Sequence, residues 1–310
     1  MALRGQLVAR AYRAGTSAAA VIPPKFGAAG AELIGKIAAL SPSDRRIIVR
    51  RNLRRALGDS VSDRDMENLV EAAFGSYVRY YYDSFRLPSM PMDQVRDGFT
   101  VEGIEHLEAA MEHDGVGPVL ALPHLGGWEW AAYWITQIRG WKLAAVVEKL
   151  EPPELFEWFL QFRRSLGINV IPLGPTAAED VALAAANKEI VCLLCDRDLV
   201  GGGPEVSFFD ERTTLPAGPA VMALRGGCAV LPTAVYFTEA GVHGVVRPPI
   251  EFVRSDPNSI RPDVAPFMQK VATELEGLIR RAPEQWHLMQ PNWPSDHDAL
   301  RSENRAPSAP

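Results

Sequence analysis

Beyond residue 115 the chain repeats one alternation: a short run of β-branched residues, a turn, then a helical segment. The runs GPVLAL, KLAAVVE, INVIPL, EIVCLLC and AVLPTAVYF are separated by stretches such as PPELFEWFLQFRRSLG and TAAEDVALAAANK. Strands joined through helices pair in parallel, so this spacing predicts an α/β fold with a mostly parallel central sheet flanked by helices. Upstream, GAAGAELIGKIAAL, SPSDRRIIVRRNLRRALG and SDRDMENLVEAAFGSYVRYYYDSFRLP read as helices, the last started by Ser62 with Asp65 and ended by Pro88. The expected organisation is one domain over residues 1–295, mainly helical in 1–112 and α/β in 113–295, where the site should lie. A last helix is expected near Val264–Arg281, and residues 296–310 are expected to form a flexible tail.

A chain of 310 residues, 47% hydrophobic and 23% charged, can bury a large core. Its net charge of −6 argues against wrapping a nucleic acid. The charge is unevenly spread, however: residues 1–60 hold 11 Lys/Arg and 3 Asp/Glu, a balance of +8. Arg45, Arg46, Arg50, Arg51, Arg54 and Arg55 punctuate a helix whose apolar stripe is Val49, Leu53 and Ala56. A cationic amphipathic helix suits an anionic leaflet, and Arg46, Arg50, Arg51 and Arg54 are the expected membrane contacts; a lattice of internal salt bridges is the other reading of the same pattern. The longest stretch free of Asp, Glu, Lys and Arg is 14 residues, Gly115 to Trp128. A membrane-spanning helix needs about 20, and the N-terminus lacks a signal peptide's compact apolar core, so the chain is expected on the cytosolic side with its three cysteines as free thiols.

Several motifs fail on their own chemistry. Gly30–Lys36 nearly spells a P-loop, but the next residue is Ile37, with no hydroxyl for Mg²⁺. Gly201–Gly203 leads into Pro204 and a β run rather than a helix, so it reads as a turn. Cys192 and Cys195, three apart on a strand, leave opposite faces and belong to the core. His106 and His113 lack a third ligand, and H-E-x-x-H and G-x-S-x-G are absent, so neither a metal site nor an ordinary serine esterase is expected.

The chemistry concentrates in Pro118-Val-Leu-Ala-Leu-Pro-His124-Leu-Gly-Gly-Trp-Glu129-Trp. It reads as a buried strand, a tight glycine turn and a helix, which sets His124 at a strand's carboxyl end, where open α/β sheets place their sites. Glu129 in the helix's first turn is expected to fold back on the imidazole, fix its tautomer and stabilise the imidazolium. Without a nucleophile of its own, such a pair suits deprotonation of a substrate hydroxyl that attacks an activated acyl group. A histidine merely packed at a strand end, with Glu129 capping the helix, fits the spacing equally well.

His124-Leu-Gly-Gly-Trp-Glu129 resembles the H-x₄-D/E signature of the glycerophosphate and lipid A acyltransferases. The Arg46…Asn52-Leu53 helix, Phe162-Arg163-Arg164-Ser-Leu-Gly167, Asp196-Arg197-Asp198 and Phe208-Phe209…Leu215-Pro-Ala-Gly218-Pro-Ala resemble its lipid A lauroyl/myristoyl branch, over most of residues 45–295. Phe85-Arg-Leu-Pro-Ser-Met90, the wording H-L-G-G-W-E-W and Gln285-Trp286…Pro291-Asn-Trp293 are most similar to its actinobacterial members acting on phosphatidylinositol mannosides. The chain departs from the lipid A enzymes in lacking their membrane-spanning first helix and terminal His-Arg-Arg, and in placing Asp210 where they favour Gly.

The resemblance implies a palmitoyl-like acyl-CoA as co-substrate, no cofactor, and a mannose hydroxyl of a phosphatidylinositol mannoside as acceptor, at the cytoplasmic face of the inner membrane. His124 would be the base and Glu129 its partner. Arg163 and Arg164, or amides near Gly126–Trp128, would meet the thioester oxyanion. Glu148, Asp196, Arg197 and Asp198, at strand ends, would bind sugar hydroxyls, and Trp128 and Tyr133 would line an acyl groove. Another glycolipid acceptor, an acyl carrier protein donor, or a non-catalytic lipid-binding protein are the rival readings.

Overall fold

The computed structural model of the protein describes residues 2–41, 43–113 and 115–303. Four helices open the chain: α1 (Ala2–Val21), α2 (Pro24–Leu40), α3 (Asp44–Leu57) and α4 (Asp63–Arg86). The Ser62 hydroxyl accepts the Asp65 amide at the start of α4, and the helix gives way to a single 3₁₀ turn at Leu87–Ser89, where Pro88 cannot donate. Then follow α5 (Met92–Asp97), β1 (Phe99–Glu102), α6 (Ile104–Glu112), β2 (Val119–Leu122), α7 (Trp128–Gln137), β3 (Leu143–Val147), α8 (Pro153–Ser165), β4 (Ile168–Pro172), α9 (Ala177–Ala186) and β5 (Ile190–Leu194). The chain continues through β6 (Glu205–Phe208), β7 (Glu211–Thr214), α10 (Gly218–Leu224), β8 (Val230–Phe237), β9 (Val242–Val246), α11 (Arg261–Arg280) and α12 (Pro294–Glu303).

Seven strands form one sheet in the order β1-β9-β8-β2-β5-β3-β4. Every pair is parallel except β8 with β9. The sheet is covered on both faces, and its side chains alternate between two cores. Val119, Ala121, Val191 and Leu193 pack with Val271 and Leu275 of α11, whereas Leu120, Leu122, Ala145 and Cys192 pack with Trp128 and Trp134 of α7. Cys192 and Cys195 are buried free thiols in opposite cores, as strand geometry requires.

Three departures from the sequence reading stand out. A strand, β1, interrupts the helical region and pairs with β9 at the sheet edge. Residues 296–303 are not a flexible tail but the body of α12. Asp296 there is fully buried, paired with Arg51 at 2.7 Å and Arg55 at 2.8 Å, and Ser295 accepts from both guanidinium groups. Residues 304–310 lie outside the described residues. Finally, the stretch around the Phe pair is the β6–β7 hairpin, whose two turn residues, Phe209 and Asp210, have φ of 53° and 60°. Phe209 is anchored against Phe208 and Trp286, but exposed Asp210 is left-handed without a hydrogen bond among the described residues. Asp210→Gly relieves that strain and is expected to stabilise the fold by about 0.5–1 kcal/mol in urea unfolding; an unchanged midpoint would contradict this.

Candidate active site

β2 runs directly beside β5, with Leu122 level with Leu194, so the residues just past each strand end meet. Past β2 comes Pro123-His124, and past β5 comes Cys195-Asp196. The His124 ring takes Asp196 Oδ1 at Nδ1, 2.6 Å away, and the His124 amide donates to Oδ2 at 3.1 Å. Asp196 is fully buried, and Trp286 Nε1 donates to its Oδ2 at 2.7 Å. Burial alone pushes this carboxyl up, but the facing imidazole and the hydrogen bonds from His124 and Trp286 outweigh it and hold Asp196 below the ordinary carboxylate value.

Nδ1 being held by a carboxylate leaves Nε2 as the working nitrogen. Among the described residues nothing hydrogen-bonds to Nε2, and the ring lines a cavity of about 480 Å³. That size is ordinary for a small-molecule site. Its wall includes the apolar Val146, Val147, Leu173, Val181, Leu193 and Met222 and the polar or aromatic Tyr80, Trp128, Glu148, Arg163, Arg197 and Asp198. A mainly apolar cavity that also presents an imidazole and several polar groups suits a long apolar chain with a reactive head.

The loop carrying His124 is fixed from below. Gly126 adopts φ of 58°, and a Cβ there would stand 1.9 Å from the Val235 carbonyl oxygen, so only glycine fits. The segment after α11 holds the same loop: Gly126 donates to the Gln285 carbonyl at 3.0 Å, and the His287 amide donates to the His124 carbonyl at 2.7 Å. Asn292 Nδ2 donates to the Asp196 carbonyl at 3.1 Å. His287 is itself half-buried, with Nε2 on the Ser76 hydroxyl at 2.9 Å. Burial pushes its imidazole down to about 3; His124 adds to the shift and Asp196 opposes it.

The expected His124–Glu129 pair is not formed. Glu129, buried in the first turn of α7, points to α4 and α8, where its Oε1 accepts the Tyr80 hydroxyl at 2.6 Å and Arg163 Nη2 at 3.0 Å. Burial pushes its carboxyl above the ordinary value, against the pull of the Arg163 charge and both hydrogen bonds. Asp196, expected to bind sugar, is the imidazole's partner instead; with no accessible surface it cannot reach a sugar.

The remaining expectations divide. Arg163 lines the cavity with its guanidinium 5.1 Å from the Trp128 ring centre, whereas Arg164, the next residue on α8, is exposed and outside it. Glu148 and Arg197 share the rim and pair at 3.3 Å. Asp198 reaches the rim, but its two carboxylate oxygens accept the Gly201 and Gly203 amides, both at 2.9 Å, so it chiefly shapes the glycine turn. Trp128 lines the cavity; Tyr133, five residues on and so about 140° around α7, is buried in the core away from it. The Gly126 amide, spent on Gln285, is not available to an oxyanion. Among the described residues no cluster of His, Cys, Asp and Glu suits a metal ion.

The membrane contacts expected on α3 are also corrected. Arg46 pairs with Glu67, Arg50 with Glu67 and Asp63, Arg51 with Asp296, and Arg54 donates to the Val61 carbonyl beside Asp59 and Asp63. These guanidinium groups tie α3 to α4 and α12, the internal lattice that is the other reading of the pattern. No described helix is long and apolar enough to cross a membrane.

Sequence reasoning missed Tyr80, Trp286 and His287 as parts of the site. Aromatic and polar residues distant in the chain carry no local signature of a shared cavity.

Comparison with known proteins agrees with the chemistry of this cavity. The chain is 35% identical over 261 residues to the phosphatidylinositol mannoside acyltransferase of Mycolicibacterium smegmatis, an alignment covering 83% of this chain and 82% of that protein. It is 36% identical over 261 residues to the protein of the same name from Mycobacterium tuberculosis, covering 80% and 77%. The model of the bacterial lipid A biosynthesis acyltransferases matches residues 5–295. A match of that extent, together with a carboxylate-held imidazole lining an apolar cavity, makes this enzyme an acyltransferase and a member of the bacterial lipid A biosynthesis acyltransferase family.

Proposed function

We propose that the enzyme transfers a long, palmitoyl-like chain from acyl-CoA to a mannose hydroxyl of a phosphatidylinositol mannoside, as a peripheral protein on the cytoplasmic face of the inner membrane. The observation that carries the reading is His124 Nδ1 fixed by buried Asp196 while its ring lines the apolar cavity. Nε2 takes the proton of the mannose hydroxyl as the oxygen bonds to the thioester carbonyl carbon. The carbonyl electrons move onto oxygen and return as the carbon–sulfur bond breaks, and the departing thiolate recovers the proton from the imidazolium. Asp196, held ionised, stabilises that imidazolium, and Arg163, a cation that lines the same cavity, is placed to meet the transient oxyanion. Glu129 and Tyr80 act by holding Arg163. Glu148 and Arg197 at the rim remain the groups suited to sugar hydroxyls.

An apolar slot of this kind measures its donor. Burying a methylene is worth about 0.8 kcal/mol, so removing four from the chain costs roughly 3 kcal/mol, up to about a hundred-fold in kcat/KM. The test supplies purified enzyme and mannoside acceptor with palmitoyl-CoA, lauroyl-CoA or palmitoyl-acyl carrier protein and follows the product by mass. Transfer from palmitoyl-CoA, falling steeply with lauroyl-CoA, is the expected result. Transfer only from the carrier protein would overturn the donor, and equal use of both CoA thioesters would overturn the role of the cavity.

A further inference from the structure

Helix α2 has the reverse of a surface helix's polarity. Its small residues Ala31, Gly35 and Ala39 are buried, and Gly35 lies so close to α4 that a Cβ there would stand 2.4 Å from Gly75 Cα. Its large apolar residues face out: Phe26 is 72% exposed, Leu33 60%, Ile37 62% and Leu40 76%. At 100° per residue these four fall within about 60° of one another, diametrically opposite Gly35. Of the twelve large hydrophobic residues exposed among the described residues, seven lie between Val21 and Leu40. So concentrated a patch marks an interaction surface.

The charges around it select the partner. Residues 1–43 contain five Lys/Arg and one acid, Glu32, and that acid is neutralised by Lys36 at 2.7 Å. Arg10, Arg13 and Arg45 are exposed and have no ion-pair partner among the described residues. An apolar stripe in a cationic, acid-poor segment complements an anionic bilayer, with the stripe in the acyl boundary and the cations at the headgroups. At 17 residues α2 is about 26 Å long, so it suits lying in the interface rather than spanning. It packs on α4, the helix that gives Tyr80 and Tyr81 to the cavity wall.

We infer that the Phe26–Leu33–Ile37–Leu40 face of α2 inserts into an anionic bilayer and is the membrane-docking element of the enzyme, in place of the arginines of α3. The inference extends the peripheral-membrane part of the reading above. Full-length enzyme and its Leu33→Ser/Ile37→Ser variant would be sedimented with vesicles of phosphatidylcholine containing phosphatidylinositol, alongside measurement of oligomeric state and thermal unfolding. Acyl transfer would be followed separately on detergent-dispersed acceptor.

Because both side chains are exposed, the variant should melt as the parent does. Vesicle partitioning should fall at least ten-fold, while transfer in detergent is unchanged. Loss of partitioning supports docking even if neither protein transfers acyl groups, in which case the catalytic reading alone fails. Unchanged partitioning overturns the inference, as does a parent dimer that the substitutions split without altering vesicle binding, since a second copy would then cover the face.

Discussion

Acyl transfer by His124→Ala is expected to fall by roughly 10²–10⁴-fold, the usual contribution of a general base, with the melting temperature little changed. Asp196→Asn should follow it closely. The amide keeps the shape of the carboxylate but loses the charge that fixes the tautomer at Nδ1 and stabilises the imidazolium. Glu129→Gln is the informative contrast, because Glu129 touches Arg163 and Tyr80 rather than the imidazole. Its effect should track Arg163 and leave the pH dependence of kcat/KM in place. Steady-state rates of the three variants decide the matter: a near-normal Asp196→Asn beside a dead Glu129→Gln would return the imidazole to its sequence neighbour.

Acid should weaken the fold well before its carboxylates are protonated, because of His287. Its folded-state value near 3 lies below the ordinary 6.5, so between those limits the unfolded chain binds a proton that the folded protein refuses. The proton difference is positive, stability rises with pH, and each unit of acidification below about 6.5 costs up to about 1.4 kcal/mol, roughly 4–5 kcal/mol over the window. Asp196 and Asp296 are lowered carboxylates whose contributions are present above about 3.8 and are lost only as pH falls below that. Glu129, raised by burial, works in the opposite sense, gaining folded-state stability on protonation. The decisive measurement is therefore a difference: urea unfolding of the parent and His287→Gln at pH 7, 6 and 5. The gap between them should close or reverse as pH falls; parallel curves would show that His287 does not titrate as its burial requires.

The sheet was readable because its strands are local. Runs such as 119–122, 143–147 and 190–194 carry their own β-branched signal and are set off by helices and turns, so parallel pairing follows from connectivity. β1 and β9 escaped because runs of four or five residues that include Glu102 or Gly244 carry little strand signal of their own and form strands only through their pairing partners, β9 for β1, and β1 and β8 for β9. The position of His124 was legible for the same reason, being one turn past a strand. Its partner was not. Glu129 is five residues away, yet the first turn of α7 carries it towards α8, while Asp196, 72 residues away, arrives because β5 is the strand next to β2. The arginines of α3 were misleading in the same manner: their spacing describes an amphipathic helix, but Glu67, Asp63 and Asp296 are brought to them by packing.

The hydrogen bonds to Gln285 and from Trp286, His287 and Asn292 have a consequence during synthesis. Asp196 leaves the ribosome 90 residues ahead of the indole that braces it, so the nascent chain carries the imidazole loop and its acid long before it carries their clamp. Catalytic competence then arrives late, only once residues 285–292 have been made and have folded back. A message cut short before those residues yields an inert product rather than a half-active one.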